Sequence, residues 1–571
     1  MTIQLDATRQ RILDTEGHLL VLGGPGSGKT TIALLKAKKL CQWLLPEQRV
    51  LFLSFSRAAV KQVSKRSADL LSQSERRQIE VNTYHAFCLD FLRSHGRLLT
   101  RKPVKIVYPS NARVLEADFG GPNWRTEQER LLAEESRATF DVFAHGVSTL
   151  LERCRALRCL VSNRYPIIIV DEFQDTDDDQ WRMVHALRDH ATLICLADPD
   201  QRIFDYQSTI DPKRVEMSKD ALAPTVFDLG ADNHRSPGGR ILDFANAVLR
   251  NRSPKAPCKE VTVSTCYENA FPSTVHAEVV FTFSKLRQQG VENPTVVVLA
   301  RSNPLVATIS SILSETHQYN RRELRPIFHT VVWDAEVAAA AGTVIASVME
   351  WREGTISEDV ARTFEALAAY YRLKVALRPD KSKGAADKAR KYRESADRVR
   401  AERSPRLNVE RALLTCWREK KELLRGDPVE DWRRSRDVLD RSSLPDIVQE
   451  SRMLRLFRMT DELGLGLADR WDEVGRCYPG AKLFVSRTLE TQRLLAPDLE
   501  PRGCVLMSMH KSKGKEFDGV VIAERQHAGV LFDPKKEEPP FESTRRLLRV
   551  AITRARHRVT IVRPKNCYPL Y

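Results

Sequence analysis

Long apolar segments are absent from this 571-residue sequence, since no run approaches the ~18 residues that cross a bilayer as a helix. The first residues, MTIQLDATRQ, lack a basic segment followed by an apolar one. We therefore expect no secretory signal and no membrane partner, and we predict a cytoplasmic location.

Cysteine patterns that hold metals are also missing. The eleven cysteines are scattered, and the closest pair, Cys154 and Cys159, does not have the spacing of a zinc site. We expect reduced cysteines and neither zinc nor an iron–sulfur cluster. Acidic residues are fewer than basic ones, 75 against 91, which leaves a formal charge of +16. This surplus suits a polyanionic partner, although solubility alone would also explain it.

A glycine-rich loop, GGPGSGKT, follows the apolar residues 18–22 and precedes a segment with helical periodicity. It fits the pattern G-x-x-x-x-G-K-[ST], in which main-chain N–H groups surround phosphates at the positive end of a helix. Lys29 would reach the β- and γ-phosphates of ATP, and the Thr30 hydroxyl would bind Mg²⁺. A purely structural glycine turn is the alternative. The predicted nucleotide-binding residues of this loop are Gly23, Gly24, Pro25, Gly26, Ser27, Gly28, Lys29, Thr30 and Thr31.

A second segment, RYPIIIVDEFQDTDDDQW, carries two carboxylates directly after a short apolar run. The run, residues 167–170, is typical of an inner strand of a parallel sheet. Asp171 and Glu172 then lie at the carboxyl end of the strand, where open α/β sheets bind ligands. Asp171 would orient Mg²⁺, and Glu172 would take a proton from the attacking water. The alternative is an acidic loop that caps a helix.

Two arginines far downstream lie in structured, apolar settings. Phosphoryl transfer needs positive charge on the γ-phosphate, and a second lobe can supply it on closure. Arg235 stands just before a predicted helix, and Arg554 lies between a predicted helix and the predicted strand 559–562. Taken alone, either arginine is more typical of a surface ion pair.

Taken together, the motifs resemble those of UvrD/Rep-type superfamily 1 DNA helicases, and they follow the family's order along almost the whole chain. Besides the phosphate loop, the matching segments are LFLSFSRAAVKQV, NTYHAF, DEFQD, LADPDQRIFDY, NHRS, MSMHKSKGKEF and RRLLRVAITRA. The resemblance implies that Lys29, Thr30, Asp171 and Glu172 carry out the hydrolysis of ATP with Mg²⁺, Thr30 and Asp171 being the metal-side residues.

Further roles follow from the same resemblance. Gln10 would contact adenine, Glu516 would lie near the ribose and phosphates, and Gln201 would sense the γ-phosphate. Arg235 and Arg554 become two arginine fingers. The implied residues for binding single-stranded DNA are Phe55, Arg57, Thr83, His85, Phe204, Tyr206 and His510. Stacking of Phe204 and Tyr206 on bases is physically apt because every base has a π-face, and core packing is their alternative.

The sequence departs from the family pattern at several positions. His234 replaces the tyrosine before the first finger arginine, and Gln207 replaces an arginine, which places one phosphate-sensing contact in doubt. Ala197 replaces a glycine, Lys515 an apolar residue, and Arg549 a tyrosine of the final motif. None of these changes removes a group that the chemistry needs, and together they suggest a divergent branch.

The motif positions predict an α/β fold with two RecA-like, doubly wound parallel-sheet lobes, each interrupted by a mainly helical insertion. The first lobe would comprise residues 1–90 and 160–222, with its insertion at 91–159. The second lobe would comprise residues 223–340 and 496–571, with a helical, basic insertion at 341–495. The basic stretch 372–406 is either a solvated helical face or a contact to the phosphates of flanking duplex.

These features predict an ATP-dependent DNA helicase that moves along single-stranded DNA, 3′ to 5′ by the family rule. Single-stranded DNA and single/double-strand junctions are the expected partners. Because only nine residues follow the last motif strand, we expect no fused nuclease, and a separate nuclease subunit of an anti-phage system is a candidate partner. The alternative is a nucleotide-gated subunit that senses DNA ends for such a complex without processive unwinding. An unrelated P-loop kinase would leave the downstream arginines unexplained.

Overall fold

The fold is that of a computed structural model, which describes most of the chain. The described residues are 5–119, 123–202, 209–230, 240–253, 258–332, 336–352, 354–377, 383–420, 423–451, 462–495, 502–526, 531–532, 537–566 and 570. The chain divides into two compact units. The first comprises Met1–Leu99, Phe143–Trp333 and Pro497–Tyr571, and the second comprises Thr100–Val142 and Asp334–Ala496.

Sixteen strands lie within the described residues. They are β1 (Leu19–Leu22), β2 (Val50–Ser54), β3 (Ile79–Thr83), β4 (Lys105–Val107), β5 (Arg137–Thr139), β6 (Ile167–Val170), β7 (Thr192–Ala197), β8 (Thr225–Asp228), β9 (Val261–Cys266), β10 (Val296–Ala300), β11 (His317–Tyr319), β12 (Arg322–Leu324), β13 (His329–Val332), β14 (Cys504–Ser508), β15 (Phe517–Ala523) and β16 (Ala555–Pro564).

Twenty-four α-helices are described as well. They are α1 (Ala7–Asp14), α2 (Lys29–Cys41), α3 (Arg57–Leu70), α4 (Gln73–Arg77), α5 (Tyr84–His95), α6 (Arg97–Thr100), α7 (Pro109–Phe119), α8 (Trp124–Glu135), α9 (Phe143–Arg153), α10 (Arg155–Arg164), α11 (Asp178–His185), α12 (Arg214–Leu222), α13 (Arg240–Leu249), α14 (Phe271–Gln288), α15 (Asn303–Ser314), α16 (Glu336–Met349), α17 (Ile356–Leu377), α18 (Lys383–Arg400), α19 (Asn408–Arg418), α20 (Pro428–Arg441), α21 (Pro445–Ser451), α22 (Glu462–Ala468), α23 (Ala481–Leu495) and α24 (Glu542–Ile552). No described helix combines the length and apolar character that a membrane span requires.

The first unit contains two six-stranded sheets in which every neighbouring pair of strands is parallel. The first sheet has the order β3-β2-β6-β7-β1-β8, and the second has the order β13-β14-β10-β15-β16-β9. Below, the parts of the unit built around these sheets are called the first and second lobes. The predicted α/β fold with two parallel-sheet lobes is therefore confirmed.

The inner strands β6 and β10 are apolar throughout, as expected where helices cover both faces of a sheet. In the second lobe, Val297 and Leu299 of β10 belong to a core with α13 and α24, whereas Val296 and Val298 belong to a separate core with α14 and α15. Alternate residues of one strand thus pack on opposite helical layers, which is the doubly wound arrangement. The same logic explains the continuous run Ile167–Val170, which is fully buried in β6.

The second unit combines the two mainly helical segments. Its core holds Trp351, Phe364 and Tyr478, which are all nearly inaccessible to solvent. Helix α17 packs against both α18 and α7, so the segment Thr100–Val142 joins the larger helical segment in one body.

Candidate nucleotide and nucleic-acid site

The glycine loop between β1 and α2 is shaped to approach an anion closely. Gly26 and Gly28 have φ angles of +80° and +90°, a region that side-chain-bearing residues rarely adopt. Gly28 is the N-cap of α2 and supplies no side-chain cap, so the first-turn N–H groups face the loop. Lys29 Nζ donates to the main-chain oxygen of Gly23 and, at 3.1 Å, to that of Gly24. The ammonium is thereby held over the phosphate loop.

Asp171 and Glu172 directly follow β6, at the carboxyl end of the parallel strands, where the glycine loop after β1 also lies. Burial, together with the neighbouring Glu172 carboxylate, raises the pKa of Asp171 to about 7. Burial acts to raise the pKa of Glu172 as well, but Lys513, Lys29, the Gln174 amide and Arg554 outweigh it and lower that pKa. Gln174 Nε2 donates to Glu172 Oε2 at 2.6 Å. The two carboxyls therefore have different proton affinities in one buried site.

Residues of both lobes surround one cavity of about 480 Å³. Its lining includes these sequence-predicted residues: Gly24, Pro25, Gly26, Ser27, Gly28, Lys29, Thr30, Thr31, Asp171, Glu172, Gln201, Glu516 and Arg554. Gly23 contributes through its bond to Lys29. Thr30 and Asp171 present oxygen donors to the same cavity, which fits the hard-oxygen preference of Mg²⁺. The structure thus brings together a phosphate loop, an acidic pair and second-lobe cations.

Two buried cations of the second lobe, Arg554 and Lys513, lie close to first-lobe residues of this site. Arg554 is 3% exposed, and its Nη2 lies 3.4 Å from Gln201 Oε1. Lys513 Nζ donates to the Asp175 carboxylate and, at 2.9 Å, to the main-chain oxygen of Gln201. It also lies 3.6 Å from Glu172 Oε2. Sequence reasoning missed Lys513 and Asp175, although both lie inside quoted motifs.

Gln10, the predicted adenine contact, and its neighbour Arg9 differ in their position relative to the cavity. Arg9 lines the cavity, and its Nη2 donates to the main-chain oxygen of Ser27 at 2.9 Å. Gln10 does not line it, and its amide donates to Asp14 Oδ2 at 3.1 Å. Gln62 donates to Glu516 Oε1 at 2.7 Å, so the predicted ribose-side carboxylate is bonded to the first lobe.

Three predicted site residues, Arg235, Phe204 and Tyr206, lie outside the described residues, as do His234 and Gln207. Their predicted roles stay predictions. Of the two predicted arginine fingers, Arg235 and Arg554, only Arg554 lies among the described residues.

The predicted DNA-contacting residues of the first lobe follow two adjacent strands. Ser54 of β2 pairs with Thr83 of β3, so Phe55 and His85 emerge at the same sheet edge. The Phe55 ring lies 5.3 Å from that of Tyr84, and His85 is exposed. Thr83 caps α5, because its hydroxyl accepts from Ala86 N at 3.1 Å.

Two further candidates lie at the edges of the sheets. Arg57 begins α3 and is half-buried. In the second lobe, His510 follows β14, and burial, aided by Arg301, lowers the pKa of its imidazole to about 4. His510 is therefore neutral at physiological pH, so it can offer a neutral hydrogen-bonding group to a strand but no positive charge.

The basic stretch 372–406 includes the end of α17 and all of α18, and several of its cations have carboxylate partners within the second unit. Arg390 pairs with Asp387 and Glu394, whereas Arg400 pairs with Glu358 and Glu365. These pairs favour the solvated helical face among the two interpretations of this stretch.

Comparisons with known proteins agree with this site. The family model for the UvrD/REP helicase N-terminal domain matches residues 5–133 and 123–211, and that for the UvrD-like helicase C-terminal domain matches residues 503–562. The ATP-dependent DNA helicase PcrA of Leuconostoc citreum is 24% identical over 49% of this chain and 44% of its own length. PcrA of Staphylococcus aureus (strain COL) is 24% identical over 54% of this chain and 48% of its own. YjcD of Bacillus subtilis (strain 168) is 25% identical over 44% and 39%.

The chain thus spans less than half the length of these relatives. Both matched regions contain the residues that line the shared cavity, from the phosphate loop to Arg554. The chain is therefore similar to UvrD/REP helicases over residues 5–211 and 503–562, the two regions that form the cavity.

Proposed function

We propose that this chain is an ATP-dependent motor that moves along single-stranded DNA and separates duplex ahead of it. The observation that carries the proposal is the shared cavity, in which the phosphate loop and acidic pair of the first lobe face Arg554 and Glu516 of the second. Because one nucleotide would touch both lobes, its binding and hydrolysis would change the contact between them.

In this mechanism the phosphate loop and Lys29 hold the β- and γ-phosphates of ATP. Thr30 and Asp171 would hold Mg²⁺, which supplies charge neutralisation on the phosphate oxygens. Glu172, whose pKa is lowered by the surrounding cations despite its burial, is the base that orients and deprotonates the attacking water. Arg554 places positive charge at the transferring phosphoryl group, and Gln201 links that guanidinium to the first lobe.

The predicted track is a single strand across the ends of the strands that carry Phe55, His85 and His510. Aromatic stacking tolerates any base, which suits movement along unrelated sequences. We propose that the motor consists of a first lobe at residues 1–90 and 160–222 and a second lobe at residues 223–340 and 496–571, each interrupted by its insertion. ATP and Mg²⁺ are the proposed ligands.

Strand displacement tests the proposal against its alternative. A duplex with a 3′ single-stranded tail is incubated with the purified chain, Mg²⁺ and ATP, and release of the labelled strand is followed. The motor proposal expects ATP-dependent release by the wild type and none by Lys29→Ala. Release that needs an added nuclease partner, or no release at all, would favour a nucleotide-gated sensor of DNA ends.

A further inference from the structure

A third cation of the second lobe, Arg549, lies against the beginning of the phosphate loop. It belongs to α24 and is 3% exposed. Its Nη2 lies 3.8 Å from the position that a Cβ atom would take at Gly24. Its Nε donates to Asn246 Oδ1 of α13 at 2.9 Å, which fixes the plane of the guanidinium. A side chain of the second lobe is thus held beside a glycine of the first.

The guanidinium of Arg549 is attracted to first-lobe carboxylates but is incompletely bonded. Nη1 lies 3.5 Å from Asp198 Oδ2, and Nη2 lies 3.9 Å from Asp200 Oδ2. Nη1 is buried and makes no hydrogen bond to any described residue. Because a buried N–H without an acceptor is costly, this group favours any arrangement that brings an oxygen within reach. A terminal phosphate at the loop would supply such an oxygen.

Asp198, the partner of Arg549, orients the residues that act on the nucleotide. Its Oδ2 accepts from Gln201 Nε2 at 2.8 Å, and its main-chain N–H donates to Gln174 Oε1 at 3.0 Å. Gln174 in turn donates to Glu172 Oε2 at 2.6 Å. Movement of Asp198 would therefore shift Gln201 directly and would shift Glu172 through the Gln174 side-chain amide.

We propose that Arg549 is a positioning residue that reports the terminal phosphate of bound ATP to Asp198. Its Nη1 lies 3.5 Å from Asp198 Oδ2, and when ATP binds it turns to the terminal phosphate, which leaves Asp198 Oδ2 to Gln201. This role rests on the proposed motor function, because it concerns the same nucleotide. Arg549 stands where the family pattern has tyrosine, a side chain that carries no positive charge.

The test measures how strongly a nucleotide changes the affinity for single-stranded DNA. The dissociation constant of the full chain for a fluorescent oligonucleotide is determined without nucleotide and with ADP·beryllium fluoride, which mimics bound ATP. Couplings between sites are typically about 5- to 150-fold. We expect a wild-type ratio of about 10-fold or more and a ratio under about 3-fold in Arg549→Met. Arg546→Met is the matched control on α24, since Arg546 pairs with Glu542 near the surface, and its ratio should equal that of the wild type.

Two conservative variants, Arg549→Lys and Asp198→Asn, keep the buried volume and serve if Arg549→Met does not fold. Each of these variants should also lower the ratio of dissociation constants. The double variant Arg549→Met/Asp198→Asn should have the same ratio as Arg549→Met, since both substitutions act on one contact. A wild-type ratio retained in these variants overturns the role of Arg549 while leaving the motor proposal intact. A wild-type ratio of one overturns both.

Discussion

Replacing Lys513 with methionine tests whether the two lobes are joined by a buried ion pair. The Lys513 side chain is 10% exposed and that of Asp175 is 1% exposed. Burial opposes the charge on Lys513, but Asp175 and Glu172 outweigh this effect and raise its pKa. Removing one partner of a buried pair leaves an uncompensated charge, which typically costs about 3–5 kcal/mol. Lys513→Met should therefore destabilise the unit that holds the cavity by this amount.

Adding Asp175→Asn to Lys513→Met tests the ion pair more strictly than Lys513→Met alone. In Lys513→Met/Asp175→Asn the stranded charge is gone, so the double variant should be more stable than Lys513→Met although it carries more changes. Urea unfolding of the full chain, compared through the midpoint of the first transition, orders the variants. Lys285→Met, at an exposed position of α14, is the control and should change stability by no more than about 0.5 kcal/mol. A double variant less stable than Lys513→Met would refute the buried-pair reasoning.

Three further outcomes are expected. Lys29→Ala should abolish ATP turnover while most of the affinity for single-stranded DNA remains, which parallel turnover and anisotropy measurements would show. Arg554→Ala should lower kcat about 10³-fold, in the range of lost arginine fingers, and a loss below about 10-fold would exclude a direct phosphate role. Since the pKa of His510 is lowered to about 4, the unfolded chain takes up its proton first, and stability should fall as pH drops from about 6.5 to 4. His510→Gln should make this decrease in stability smaller. If the unfolding midpoints of His510→Gln equal those of the wild type at every pH in this range, the burial of the imidazole is contradicted.

Much of the lining of the cavity was predictable, because many of its residues are set by local sequence. Glycines at positions 26 and 28 supply the positive φ angles that the loop needs, and an apolar run of strand length delivers Asp171 and Glu172 to the sheet edge. Both features depend on neighbours along the chain. They could therefore be recognised before any contact between distant segments was known.

Contacts between distant segments could not be predicted in the same way. Lys513 and Asp175 are 338 positions apart, and no local pattern states that they meet. The position of Gln10 illustrates a finer limit, since consecutive residues of a helix point about 100° apart. A shift of one residue in the first helix therefore decides whether Gln10 or Arg9 faces the cavity.

The rate of ATP hydrolysis as a function of single-stranded DNA concentration tests the central claim most directly. If one nucleotide is shared by two lobes that also grip a strand, DNA must change the geometry around ATP. The account predicts a steep, saturable rise in the rate of the wild type as single-stranded DNA is added with Mg²⁺ and ATP. A rate that stays the same with and without DNA, in a preparation that binds both ligands, would contradict it.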